Sequence, residues 1–104
     1  MTNTRTRMTP DDRTAEILSA AVKLAKRVGF RKLTRDGVAA AAKVSTGLVS
    51  THFGGVEALR DEVMRVAVRD EILPIVADGI ANGNRIARRA PAPLRQRALQ
   101  SLAS

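Results

Sequence analysis

The segment from Lys43 to His52 concentrates side chains that can hydrogen-bond another molecule. Lys43 carries an ammonium group, His52 carries the one imidazole of the sequence, and four hydroxyls lie between them, on Ser45, Thr46, Ser50 and Thr51. Such groups donate to phosphate oxygens and to the polar edges of a partner. No carboxylate accompanies His52 in this segment to orient it as a general base, so the pattern favours a binding surface over acid–base catalysis.

Other patterns typical of catalysis or metal binding do not occur in the sequence. The acid pairs at positions 11–12 and 70–71 are typical of solvated helix faces or caps, and no glycine-rich phosphate loop or metal-ligand spacing is present. The chain has no cysteine, which excludes disulfides and thiolate metal sites. We therefore expect no enzyme activity, no cofactor and no metal.

The charge of the chain favours polyanionic partners. Eighteen basic residues oppose ten acidic ones among 104, giving a net charge of +8. A field of this sign attracts nucleic acid, anionic membranes or acidic proteins, and charge alone does not choose among them. No apolar run approaches the ~20 residues of a membrane span and no secretion signal is visible, so we expect a cytoplasmic protein that does not bind membranes.

Caps and apolar spacing predict an all-α fold. The chain has two aromatic residues, so its core must be aliphatic, which favours interdigitated helices. Thr9 is expected to cap a first helix that ends at Gly29. Thr34 and Ser45 are expected to cap two shorter helices.

The second half of the chain predicts further helices. A glycine pair at 54–55 breaks the chain, and a fourth helix begins near Val56 with an apolar run that reaches Ala81. Pro74 lies inside this run, which predicts either one kinked helix or two helices meeting near Leu73. Residues 85–104 are basic, and their apolar spacing predicts one more short helix.

The second and third helices match the helix-turn-helix arrangement. Its geometry requires small residues where the helices cross, an apolar turn residue that points inward, and a cap on the following helix. Ala39 and Ala42 meet the first requirement, Val44 the second and Ser45 the third. In this arrangement the second of the two helices enters the major groove of DNA.

At these positions the sequence resembles the N-terminal DNA-binding domain of TetR-family regulators. The resemblance covers roughly residues 13 to 60, and its most specific part is the segment Val-Ser-Thr-Gly-Leu-Val-x-x-His-Phe at residues 44–53. It implies a three-helix head followed by further helices. It also implies that Thr34 and Arg35 meet the phosphate backbone. Ser45, Thr46 and Gly47 would open the recognition helix close to base edges, and Ser50, Thr51 and His52 would line its DNA-facing side and end. For His52 we expect a phosphate contact.

Three positions depart from the family pattern. Lys43 replaces the usual glycine of the turn and offers a cation near a phosphate or a base, while Ser50 and Val56 replace a tyrosine and a lysine that contact phosphates. Residues 45–52 contain no Arg, Lys, Asn or Gln, the side chains that read bases through paired hydrogen bonds. Specificity must then come from hydroxyls, thymine-methyl contacts, DNA shape or arginines elsewhere. Arg5 and Arg7 form either a minor-groove arm or a solvated terminus.

The apolar run after Val56 predicts a homodimer, with the monomer core as the alternative use of the same residues. A two-fold dimer places the two helices that enter the major groove about one DNA turn apart, which matches a palindromic operator. The residues expected at this interface are Val63, Val66, Ala67, Ile72, Leu73, Val76 and Ile80. The chain then divides into a disordered basic arm (1–8), a DNA-binding head (9–55) and a helical dimerisation segment with a basic tail (56–104).

These features together favour a transcriptional repressor that binds double-stranded DNA as a dimer. About 45 residues after the head are too few for an enclosed pocket of ~300 Å³, so we expect no small-molecule effector. Two other classes stay open at this point. One is a protein-interaction module with a vestigial helix-turn-helix, and the other is a protein that coats DNA without regard to sequence.

Overall fold

The computed structural model describes residues 9–103, and the predicted arm with Arg5 and Arg7 lies outside them. The described residues contain helices and no strand, which confirms the all-α prediction. A short 3-10 helix covers Phe30–Lys32. The α-helices are α1 (Pro10–Val28), α2 (Arg35–Ala42), α3 (Thr46–Phe53), α4 (Val56–Arg69), α5 (Leu73–Ala81), α6 (Arg85–Arg88) and α7 (Ala92–Ala103).

The three caps predicted from the sequence are confirmed. Thr9 forms a reciprocal capping box with Asp12, in which each side chain accepts the other residue's amide. Thr34 Oγ1 accepts the amide of Gly37 at 3.0 Å, and Ser45 Oγ accepts the amide of Leu48 at 3.0 Å. These bonds satisfy amides that a helix start leaves without an intrahelical acceptor, so they fix where α1, α2 and α3 begin.

Helices α1, α2 and α3 form the predicted helix-turn-helix head. Ala39 is 4% exposed where α2 meets the core, Ala42 and Val44 are half-buried against it, and α1 supplies the fully buried Ile17 and Ala21. Small and branched aliphatic side chains at these points allow α2 and α3 to lie closely against α1.

Pro74 begins a new helix rather than kinking a long one. α4 ends at Arg69, and α5 begins at Leu73 with Pro74 in its first turn, where a helix needs no amide donor. The connection reverses at Glu71, which has a φ of 56°, and Ile72 donates its amide to the carbonyl of Ala67 at 2.8 Å. Of the two alternatives drawn from the sequence, the structure has two helices.

The hydrophobic core runs without a break from α1 to α7. Three residues expected at the dimer interface, Val63, Ala67 and Val76, are 0% exposed in this core. These side chains cannot contact a second copy because they are buried. They complete the core of the monomer, which was the alternative prediction from the sequence. These three side chains are buried within one chain because α5 folds back on α4 after the turn at 70–72. Hydrophobic periodicity in the sequence does not reveal this reversal.

The basic tail is more ordered than the expected single short helix. It contains α6 and α7, and α7 buries Leu94 and Ala98 against α5. An ion pair between Arg97 and Glu71 fastens α7 to the turn between α4 and α5. The tail therefore completes the core that positions α4.

We predict that Gly79→Ala lowers the free energy of unfolding by about 1–3 kcal/mol, because the core has no room for the added methyl group. A Cβ at Gly79 would lie 2.8 Å from the Cβ of Ala87 and closer still to the end of Met64. Thermal or urea unfolding followed by circular dichroism measures the change.

Gly47→Ala is the matched control, since a Cβ there meets nothing closer than Ser45 Oγ at 3.9 Å. This variant should be as stable as the parent or more stable by up to about 1 kcal/mol, because alanine favours helix. Equal stability of the two variants would contradict tight packing at Gly79.

Candidate nucleic-acid interface

Helix α3 presents one polar face because its other face is anchored in the core. Val49 is fully buried, and Leu48 and Phe53 are half-buried against the same core. Gly47 and Thr51, four residues apart, are exposed on the opposite side, and Thr51 Oγ1 donates to the carbonyl of Gly47 at 2.9 Å. This amphipathic placement is what a helix needs to enter a groove of another molecule.

Lys43 lies in the left-handed region, with φ 61° and ψ 43°. Its amide donates to the carbonyl of Ala40, and the amide of Val44 donates to the carbonyl of Ala39, which ends α2 in a Schellman turn. A lysine pays a steric penalty in this conformation that glycine avoids. Lys43 is exposed and precedes the first residue of α3, Thr46, by three positions.

Arg35 reaches the middle of α3 rather than staying at the start of its own helix. Its Nη1 donates to Ser50 Oγ at 2.8 Å. The exposed side of α3 therefore carries a guanidinium supplied by α2, although residues 45–52 contain no arginine of their own. Sequence reasoning assigned Arg35 to the phosphate backbone and did not anticipate its bond to Ser50, fifteen positions along the chain.

Asp36 is a member of this surface that sequence reasoning missed. Thr46 Oγ1 donates to Asp36 Oδ1 at 2.8 Å, which joins the first residue of α3 to the first turn of α2. In the sequence, Asp36 has the signature of an acid that complements the positive end of a helix. Only the crossing of α2 and α3 brings its carboxylate to Thr46.

His52 is bonded to α1. Its Nδ1 lies 2.5 Å from Thr14 Oγ1, and that hydroxyl donates to the carbonyl of Pro10 at 2.9 Å. This bond occupies Nδ1 and secures the end of α3 to α1, and it leaves Nε2 for the phosphate contact expected of His52.

The start of α4 lies close to the start of α2. Gly55 caps α4 without any side-chain hydrogen bond, and Arg60 Nη2 donates to the carbonyl of Leu33 at 3.0 Å. Thr34, Val56 and Arg60 line one shallow cleft. The first amides of α4 therefore have no side-chain cap of their own beside the candidate phosphate residue Thr34.

The described residues contain neither a metal-binding cluster nor a membrane-spanning helix. In residues 9–103, no cluster of His, Asp and Glu side chains has the grouping that a metal ion needs. None of the helices in this part of the chain combines the length and apolar character required to cross a bilayer.

We predict that Lys43→Gly raises the free energy of unfolding by up to about 1 kcal/mol. Glycine removes the steric cost of the left-handed turn, and its greater freedom in the unfolded chain offsets part of the gain. Lys43→Ala, which loses the charge but keeps the backbone penalty, is the control and should unfold with the parent. If both variants unfold at the same denaturant concentration, the turn at Lys43 is not strained.

Comparison with known protein families matches residues 17–63 to bacterial regulatory proteins of the tetR family. Neither the comparison with curated proteins nor that with solved structures returned a match. The matched residues run from Ile17 in α1 to Val63 in α4 and include the whole helix-turn-helix. This segment is similar to the tetR family of bacterial regulatory proteins, and the similarity supports a DNA-binding transcription regulator.

Proposed function

We propose that the protein is a transcriptional repressor that binds a palindromic operator as a homodimer, with α3 in the major groove. The observation that carries the proposal is the fixed polar face of α3. Its hydroxyls on Thr46 and Ser50 are both hydrogen-bonded to side chains of α2. A surface held this way loses little conformational freedom when it meets DNA, which favours affinity.

The contacts divide into those that position the protein and those that read bases. Lys43 and the uncapped amides of α4 are suited to phosphate oxygens, since they offer positive charge without a defined base partner. Arg35 is suited to either a phosphate or a guanine edge. Thr46, Gly47 and Thr51 lie where the start and outer side of a recognition helix approach bases.

Fewer of the predicted interface residues are accessible to a second copy of the chain than the sequence suggests. Of the predicted interface residues, Val66, Ile72, Leu73 and Ile80 remain only partly buried. α7 adds the exposed side chains of Leu99 and Leu102, which are 46% and 58% exposed. Apolar side chains left at the surface after the core is complete favour association with a second copy.

We also propose that no small-molecule effector binds behind the head. Between α4, α5 and α6 the fully buried side chains of Met64 and Ala87 pack directly against Gly79 and leave no room for an added methyl group. Repression would then depend on the amount of protein and its occupancy of the operator.

We predict nanomolar binding to an inverted repeat and a steep loss of affinity between low and moderate salt, because phosphate binding releases counterions. Fluorescence anisotropy with an operator found by selection from random duplexes measures both. Thr46→Ala should cost on the order of 1–3 kcal/mol of discrimination between operator and scrambled DNA. Lys43→Ala should weaken both alike.

The two open alternatives give different results in the same experiment. Equal affinity for all duplexes would indicate a DNA-coating protein, and a flat salt dependence would indicate a protein-interaction module. Either result contradicts the proposed repressor.

We predict that the chain is a dimer in solution and that Val66→Asp or Ile80→Asp converts it to a monomer, because a charge cannot be buried unpaired at an apolar interface. Light scattering after size exclusion measures the mass. Val28→Asp is the control, since Val28 is an exposed aliphatic residue at the end of α1. A monomeric parent chain, or dimers of all three variants, would contradict this interface.

A further inference from the structure

The carboxylate of Asp36 lies beside the first residue of α3. Asp36 is exposed, and its Oδ1 accepts from the hydroxyl of Thr46, the first residue of α3. The N-terminal residues of a recognition helix approach base edges in helix-turn-helix proteins. A negative charge at this point is repelled by phosphates, so it lowers affinity unless it accepts a hydrogen bond from a base.

The hydrogen-bonding capacity left to Asp36 and Thr46 is entirely that of acceptors. An ionised carboxylate has no hydrogen to donate. The hydroxyl of Thr46 has one hydrogen, and it is directed to Asp36. Any base that pairs with these two side chains must therefore supply a donor.

The major groove offers two such donors, the N4 amino group of cytosine and the N6 amino group of adenine. Adenine also presents its N7 acceptor beside N6, which repels a carboxylate, whereas cytosine presents only the amino donor. Guanine and thymine present acceptors at the corresponding edge. The acceptor pair thus fits cytosine best.

We propose that Asp36 and Thr46 form a paired acceptor that selects a cytosine in each half of the operator. This inference rests on the proposed DNA-binding function and assigns its base preference at one position. Asp36 supplies the charged acceptor, and Thr46 places it by their shared hydrogen bond.

A purely structural role for Asp36 predicts something different. The acid also complements the positive end of α2 and links α2 to α3, and these effects alone would change stability but not base preference. Asp36→Asn separates the two roles. The amide oxygen still accepts from Thr46, while the new NH₂ group supplies a donor and creates the pattern that pairs with N6 and N7 of adenine.

The test is selection of binding sites from a random duplex library by the full chain and its variants, followed by affinity measurements on single-base variants of the selected site. The parent should select cytosine at one position of each half-site. Asp36→Asn should change that preference to adenine, by roughly tenfold or more in relative affinity, with little change in its thermal unfolding. Glu62→Gln is the control, because Glu62 lies on α4 and pairs with Arg65, and it should select the parent site.

Two Thr46 variants test the pair from its other side. Thr46→Ser keeps the hydroxyl and should keep the cytosine preference, whereas Thr46→Val removes the hydroxyl and should reduce that preference. If Asp36→Asn selects the same base as the parent, the acceptor pair is refuted while sequence-specific binding stands. If the parent selects no common sequence, the proposed function fails and this inference fails with it.

Discussion

The burial of one side of α3 is the constraint on which the rest of the site depends. Val49 is fully buried, with Leu48 and Phe53 half-buried beside it, so the rotation of α3 about its own axis is fixed by aliphatic packing. Of the other positions of this eight-residue helix, Gly47 and Thr51 are exposed and the rest are half-buried. A short helix has little stability of its own, and its conformation here comes from the core beneath it and the cap at Ser45.

Hydrogen bonds between side chains also hold α3 in position against α1 and α2. Arg35 reaches Ser50, Asp36 accepts from Thr46, and His52 is bonded to Thr14 of α1. Each bond joins α3 to a neighbouring helix at a different point along its length. The surface around α3 is thus built from two helices, because α2 supplies a guanidinium and a carboxylate to a helix that contains neither.

The helices that follow the head belong to the same core. Val63, Ala67 and Val76 are packed within a single chain, and α7 closes over α5. The start of α4, which lies beside α2, is therefore held by the same aliphatic residues that stabilise the second half of the protein. This arrangement leaves a narrower apolar surface for self-association than the sequence indicates, because most of the strongly apolar run is used inside the monomer.

The sequence by itself determined the features that depend on local interactions. Thr9, Thr34 and Ser45 cap their helices because a hydroxyl accepts amides within three residues. The residues of the helix-turn-helix were recognisable for the same reason, since caps, small crossing residues and the turn recur at fixed spacing. Pro74 predicted either a kink or a new helix, and the tertiary structure decided that it begins α5. Tertiary structure alone decided which side chains meet across helices: the Asp36–Thr46 and Arg35–Ser50 bonds, the attachment of His52 to α1, and the burial of Val63 and Val76. Such contacts depend on the angles at which helices cross and on where α5 turns back, and these follow from the packing of the whole core rather than from any one segment.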